Sequence, residues 1–239
     1  MRSGVWMRTT EEAYAHPYDY EAQRLFLDEA AGILTASRDV LLQLNKAFTV
    51  EERSVAKATW MLQFDALDAL ADALFLFKQG RPSAAGRMFR DVLDTLDVAS
   101  HFVRDGQESR DDLAKWYEDE VVGHRRARES AGREGGEAVK NAMMEEYGDF
   151  SHFVHRTYRI LLRSYQRGGG DRMWNETKFR ELGRPLPHTV AEFLTIFAQL
   201  IVRFVNHLRG RTDVDLSALA VALGKGFSEA PELKAPECA

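Results

Sequence analysis

Between Glu145 and Arg159 the chain reads Glu-Glu-Tyr-Gly-Asp-Phe-Ser-His-Phe-Val-His-Arg-Thr-Tyr-Arg, its densest run of imidazole, phenol and guanidinium groups. Two kinds of chemistry suit such residues. Arginines hold an oxyanion through forked hydrogen bonds. A histidine moves a proton near neutral pH. His152 and His155 are the candidate catalytic residues. Arg87, Arg90, Arg156, Arg159, Tyr147 and Tyr158 are the candidate ligand-binding residues. His152, with Asp149 and Arg156 beside it, is the better proton carrier; for His155 the plainer role is a core histidine satisfied by Tyr147 or Ser151.

Residues three and four apart share a helix face. Tyr147, Ser151, Val154, His155, Tyr158 and Leu162 then form one stripe; Asp149, His152, Arg156, Arg159 and Arg163 form a second. Phe153, Thr157, Ile160 and Leu161 make a third. This pattern predicts an inner helix whose polar groups need partners. Upstream, Arg90, Asp94, Asp97, His101 and Arg104 fall on one stripe of another helix, with Arg87 preceding them. Asp65, Asp68 and Asp72 recur at helical spacing before that. These sets can line one polar cavity, or pair with one another as ion pairs. Unpaired burial costs several kcal/mol, so pairing is the default expectation, with Arg90 to Asp94 at i, i+4.

Other chemistries find less. Di-metal bundles use Glu-x-x-His twice, and here the nearest patterns are Asp149-x-x-His152 and Glu120-x-x-x-His124, so no metal and no cofactor is expected. There is no Gly-x-Ser-x-Gly elbow. Gly168-Gly169-Gly170 lacks the Lys-Ser/Thr and the preceding strand of a phosphate cradle. The basic run His124-Arg125-Arg126-Ala127-Arg128, flanked by Glu118, Asp119, Glu120 and Glu129, reads as a solvated, salt-bridged helix face.

The elements that would position these groups are helices. Leu25, Leu27, Ala30, Ile33, Leu34, Val40, Leu41 and Leu44 recur at helical intervals. Thr49-Val50-Glu51-Glu52 is a capping-box pattern that opens a second helix towards Gln79-Gly80. A third, capped by Ser83, carries Phe89, Val92, Leu93, Leu96 and Val103 inward. Ser109 to Asp112 caps a fourth, running to Glu129, and the glycines of 130–137 predict a mobile link. After the stop at 168–170, residues 171–187 read as a surface connection. Thr189 opens the most apolar helix, from Phe193 to Leu208, which belongs either at the centre or at an oligomer interface. A last helix spans about 216–223, and alternating strand patterns are almost absent. The expectation is an all-α, single-domain bundle of about seven or eight helices, with 1–18 a lead-in, 19–227 the bundle and 228–239 a flexible tail.

Composition sets outer bounds. The 239 residues are 45% hydrophobic and 29% charged, with a net charge of −5. That balance argues against broad nucleic-acid binding. One cysteine, Cys238, excludes an internal disulfide and a cysteine-built zinc site within the chain, and fits a reducing cytoplasm. The first residues lack the apolar run of a signal peptide, and no stretch of about 18 apolar residues predicts a membrane span.

The block Tyr147 to Thr157, with Arg87 to Asp94 upstream, resembles an uncharacterised bacterial all-helical family that carries an arginine-rich third helix and a Tyr-x-x-x-Ser-x-x-x-His block. The likeness covers about residues 50–165 and implies a helical bundle. A more distant similarity is to HEPN domains, helical bundles that often act as dimeric ribonucleases, whose mark is Arg, four to six residues, then His. Here Arg184-x-x-x-His188 and Arg203-x-x-x-His207 are each one residue short of it. Two functions follow as expectations. One is a non-enzymatic module that binds a protein partner or a second copy through the 190–208 helix. The other is an HEPN-like nuclease or phosphate-ligand bundle acting on RNA or a phosphorylated molecule.

Overall fold

Capping, turn and burial patterns resolve into helices in a computed structural model that describes residues 20–104, 106–154, 158, 161, 165–167, 173–175 and 187–225. The elements are α1 (Tyr20–Leu42), α2 (Val55–Lys78), α3 (Pro82–Val103), α4 (Gln107–Tyr117), α5 (His124–Val154), β1 (Tyr165–Arg167), β2 (Met173–Asn175), α6 (Pro187–Arg209) and α7 (Ser217–Lys225). The fold is an all-α bundle, as the periodicity predicts. β1 and β2 form one small antiparallel ladder, Gln166 opposite Trp174; β2 lies in the stretch expected to be a connection, β1 just before the 168–170 stop. The lead-in and tail lie outside the described residues.

α6 is the central rod. Phe193, Leu194, Phe197, Ala198, Leu200, Ile201, Phe204, Val205 and Leu208 are all buried in the main core. Phe197 is the hub: its ring lies 6.3 Å from Phe26, 5.3 Å from Phe77 and 6.2 Å from Phe89. Of the two places open to this helix, the centre is the observed one. A second, smaller core joins Ala58, Phe102 and Leu113, with Leu62, Val98, Trp116, Tyr117 and Val122 packed partly buried around it.

Several boundaries differ from the sequence expectation, each for a local reason. Thr49 to Glu52 is a turn, and α2 starts six residues later, where Ser54 Oγ accepts from Lys57 N at 3.1 Å. Lys57 Nζ then donates to the carbonyls of Thr49, Val50 and Glu52, holding that turn shut. α3 begins at Pro82 rather than at a Ser83 cap, since proline presets the helical φ and has no N–H to satisfy. Within α3, Phe102 takes the buried position and Val103 faces outward.

The expected fourth helix is two. α4 stops at Tyr117, the chain turns through Asp119 at φ 65°, and α5 begins at His124. Ser109 and Asp112 are buried members of α4 rather than its cap. The glycine-rich link is also helical, broken at Gly136 (φ 82°, ψ 175°), a conformation open to glycine. In an unbroken helix residues 128 and 147 would be roughly 28 Å apart. Arg128 instead sits 3.9 Å from the centre of the Tyr147 ring, so α5 doubles back on itself as a helical hairpin. A Cβ at Gly132 would fall 2.7 Å from Lys140 Cβ, which shows how closely the two arms cross.

Candidate functional site

Of the expected site residues, the structure joins Arg90 and Tyr147. Arg90, on α3, donates through Nη2 to the Tyr147 hydroxyl and through Nε to Asp94 Oδ2 at 3.3 Å. Its guanidinium stands 4.9 Å from the Tyr147 ring centre, and Arg128 covers the ring at 3.9 Å. Two cations thus share one phenol, an attraction worth about 2 kcal/mol or more where water is excluded. Arg128 is 7% exposed. Its place in a basic run beside acids predicts a solvated face; the hairpin at Gly136 turns it inward. Its neighbours in that run behave as expected, Arg125 pairing with Glu129 at 2.9 Å and Arg126 with Asp112.

Arg87 is exposed. Tyr158 is 75% exposed, so at that position the predicted inner stripe faces water. His155, Arg156 and Arg159 lie outside the described residues, as does the side chain of His152.

The polar stripe of α3 does not line one cavity. Its members spread over several elements: Arg90 and Arg104 reach α5, and Asp94 pairs with Arg90 within α3. Asp97 is buried against Arg203 of α6. His101 Nε2 lies 3.1 Å from Asp112 Oδ2 of α4, both side chains fully buried. Arg104 donates to the Ala127 carbonyl of α5 at 3.0 Å. Burial pushes the Asp112 carboxyl up, but the His101 hydrogen bond, Arg126 and Lys115 outweigh it and hold the group below the usual carboxylate range. A carboxylate there must accept, so His101 Nε2 carries the proton. With Ser109 donating to the His101 carbonyl at 2.5 Å, this is a sealed structural knot rather than a reactive dyad. Two aspartates of α2 pair outward: Asp68 with Arg38 at 2.8 Å, and Asp65 with the Thr95 hydroxyl at 3.0 Å.

Arg203 and His207, the nearer approach to an Arg-to-His nuclease motif, are tied up separately. Arg211 Nη1 donates to Gln63 Oε1 at 2.9 Å, which fixes that amide so that its Nε2 donates to His207 Nδ1, also at 2.9 Å. His207 must therefore be neutral with its proton on Nε2. Burial, with Arg203 and Arg211 nearby, pushes its pKa down to about 4. Among the described residues no group of three or more His, Cys, Asp or Glu is placed to hold a metal ion. No described helix is long and apolar enough to cross a membrane.

A feature with almost no sequence signature is a groove of about 710 Å³ between α2, α3, α4 and the loop after it. Met61, Leu62, Val98, Trp116, Tyr117 and Val122 give it mostly apolar walls. Several of these belong to the second core, which α4, with only 11 residues, leaves uncovered on one side. At the mouth Val50 is 90% and Val121 97% exposed. The one signal in the sequence is Glu118-Asp119-Glu120-Val121-Val122, two valines in an acidic turn, which is faint.

No protein-family model matches the chain, nor does a curated protein or a solved structure. The resemblance to a helical family and to HEPN domains rests on its short motifs alone.

Proposed function

We propose that this chain is a helical binding module that docks a segment of a partner protein in the groove between α2, α3 and α4. The observation that carries it is the half-covered second core: Leu62, Val98, Trp116 and Val122 are packed from below and open to the groove above. Exposed apolar surface of this kind, rimmed by charge, marks interaction sites. The volume falls within the range of ligand sites, roughly 300–1,000 Å³. The α6 helix, whose apolar sequence suits an interface, is core, so the binding role rests on the groove instead. The single cysteine fits a reducing compartment, and we place the module in the cytoplasm. Nile red, an uncharged apolar dye, tests the groove. Its emission should rise saturably with wild-type protein and fall several-fold with Met61→Lys; equal emission from both would sink the reading.

The phosphate-ligand reading draws on a different observation. Among the described residues Arg128 has no carboxylate partner, and its Nη1 makes no hydrogen bond. Buried guanidinium groups call for an anion. Inorganic phosphate that raises the melting temperature of wild-type protein, but not of Arg128→Met, would favour it. An equal response of the two proteins would remove it.

A further inference from the structure

We infer that the occupant of the groove is a basic, amphipathic segment of a partner protein, with apolar side chains seated on Met61, Leu62, Val98 and Trp116 and lysine or arginine side chains over Asp94, Asp119 and Glu120. The inference rests on the groove being a docking site and adds the chemistry of what docks.

Charge carries the argument. Among the described residues Asp94, Asp119 and Glu120 line the groove, with Lys57 as the one lining cation. Lys57 does not face a ligand freely, because its ammonium is spent on three carbonyls of the turn before α2, at 2.6 to 2.9 Å. The acids continue past the lining. Asp65 accepts from Thr95, itself a wall residue, and Asp91 lies close enough to Asp94 and Asp65 to feel both. Burial, and then those two like charges, raise the Asp91 carboxyl above its usual range against the opposing pull of Arg90. Carboxylates crowded in this way repel each other; Arg90, paired with Asp94 at 3.3 Å, offsets part of that repulsion, and an arriving cation relieves more of it. An acidic segment would add to it. The whole chain, at −5, favours the same partner at long range.

The shape agrees. The apolar floor comes from neighbouring residues of α2 (Met61, Leu62), from Val98 of α3 and from the Trp116 ring, a surface suited to anchors spaced at i, i+3 and i+4 on a partner helix. Acids contributed by α3 and by the loop after α4 put negative charge on more than one wall. A helix with an apolar stripe flanked by cations matches both features.

Two labelled peptides of identical leucine pattern, one flanked by lysines and one by glutamates, test this by fluorescence anisotropy against the full chain. The lysine peptide should bind one to one, at least about tenfold more tightly than the glutamate peptide, and weaken as salt rises. Asp119→Asn with Glu120→Gln, which keeps a residue tolerant of positive φ at 119, should weaken the lysine peptide on the order of two- to tenfold. Equal binding of the two peptides, or preference for the glutamate one, overturns the charge inference and leaves the groove standing. Binding by neither, or binding that Met61→Lys and Val121→Lys do not disturb, overturns the docking site itself. A dimer that forms without peptide and is lost in Met61→Lys overturns it in favour of a second copy.

Discussion

His207 shows how much a single side chain's protonation is decided by neighbours remote in sequence. Arg211 orients Gln63, Gln63 donates to the imidazole, and burial disfavours the cation. The folded pKa near 4 lies below the ordinary 6.5. As pH falls below 6.5 the unfolded chain takes up a proton that the folded chain refuses until about pH 4. Stability is therefore complete above that window and declines through it, by at most roughly 3 kcal/mol. Urea unfolding of wild type and His207→Gln at pH 7 and pH 4.5 reads this directly, because glutamine retains an acceptor and cannot titrate. The wild-type advantage should shrink at the lower pH; a constant difference would show that His207 is not held neutral. Asp97 makes a second residue-scale case. Asp97→Ala should destabilise by about 3 kcal/mol, since it removes the buried carboxylate that meets Arg203 at the core boundary. Asp97→Ala with Arg203→Met together should lose less than the sum of the two single losses, measured as a double-mutant cycle.

At the scale of elements, α5 decides where the arginines go. Its break at Gly136 needs a backbone conformation that a Cβ opposes, whereas a Cβ added at Gly148, in the second arm, would meet nothing within 4 Å. Gly136→Ala should cost about 1–3 kcal/mol in urea unfolding. Gly148→Ala should be neutral or stabilising by up to about 1 kcal/mol. Equal effects at the two positions would mean that the hairpin does not depend on Gly136. Local sequence hides this element. Three glycines among charges in 130–137 look like a mobile link, and Arg125, Arg126 and Arg128 look alike beside acids. Only the reversal at Gly136 separates Arg128, pressed on Tyr147, from Arg125 in solvent.

For the molecule as a whole, α6 is the rod buried against α1, α2 and α3. Phe197→Ala should destabilise by about 3–5 kcal/mol, seen as a large fall in melting temperature, because three phenylalanine rings lose their shared contact. Phe75→Ser, on the solvent side of α2 at 61% exposure, should change stability by no more than about 0.5 kcal/mol. A similar loss at both positions would contradict the burial of α6. The groove belongs to this scale too. It exists because two cores of unequal size share α2 and α3, and short α4 covers the smaller one on one side only.

Periodicity alone placed most of the helices, α5 excepted. Their apolar stripes, the punctuating glycines and prolines, and the i, i+4 pair of Arg90 and Asp94 are local features, and local geometry repeats wherever the sequence repeats. Which acid meets which base is another matter. Asp97 and Arg203 are 106 residues apart, Gln63 and Arg211 148 apart, and neither pairing has a local signature. The choice between Thr49 and Ser54 as the cap turned on a lysine reaching back to three carbonyls. The groove required the meeting of three helices and a loop. Tertiary packing decided these because burial and charge compensation are properties of an assembled interior, fixed only when distant segments exclude water together.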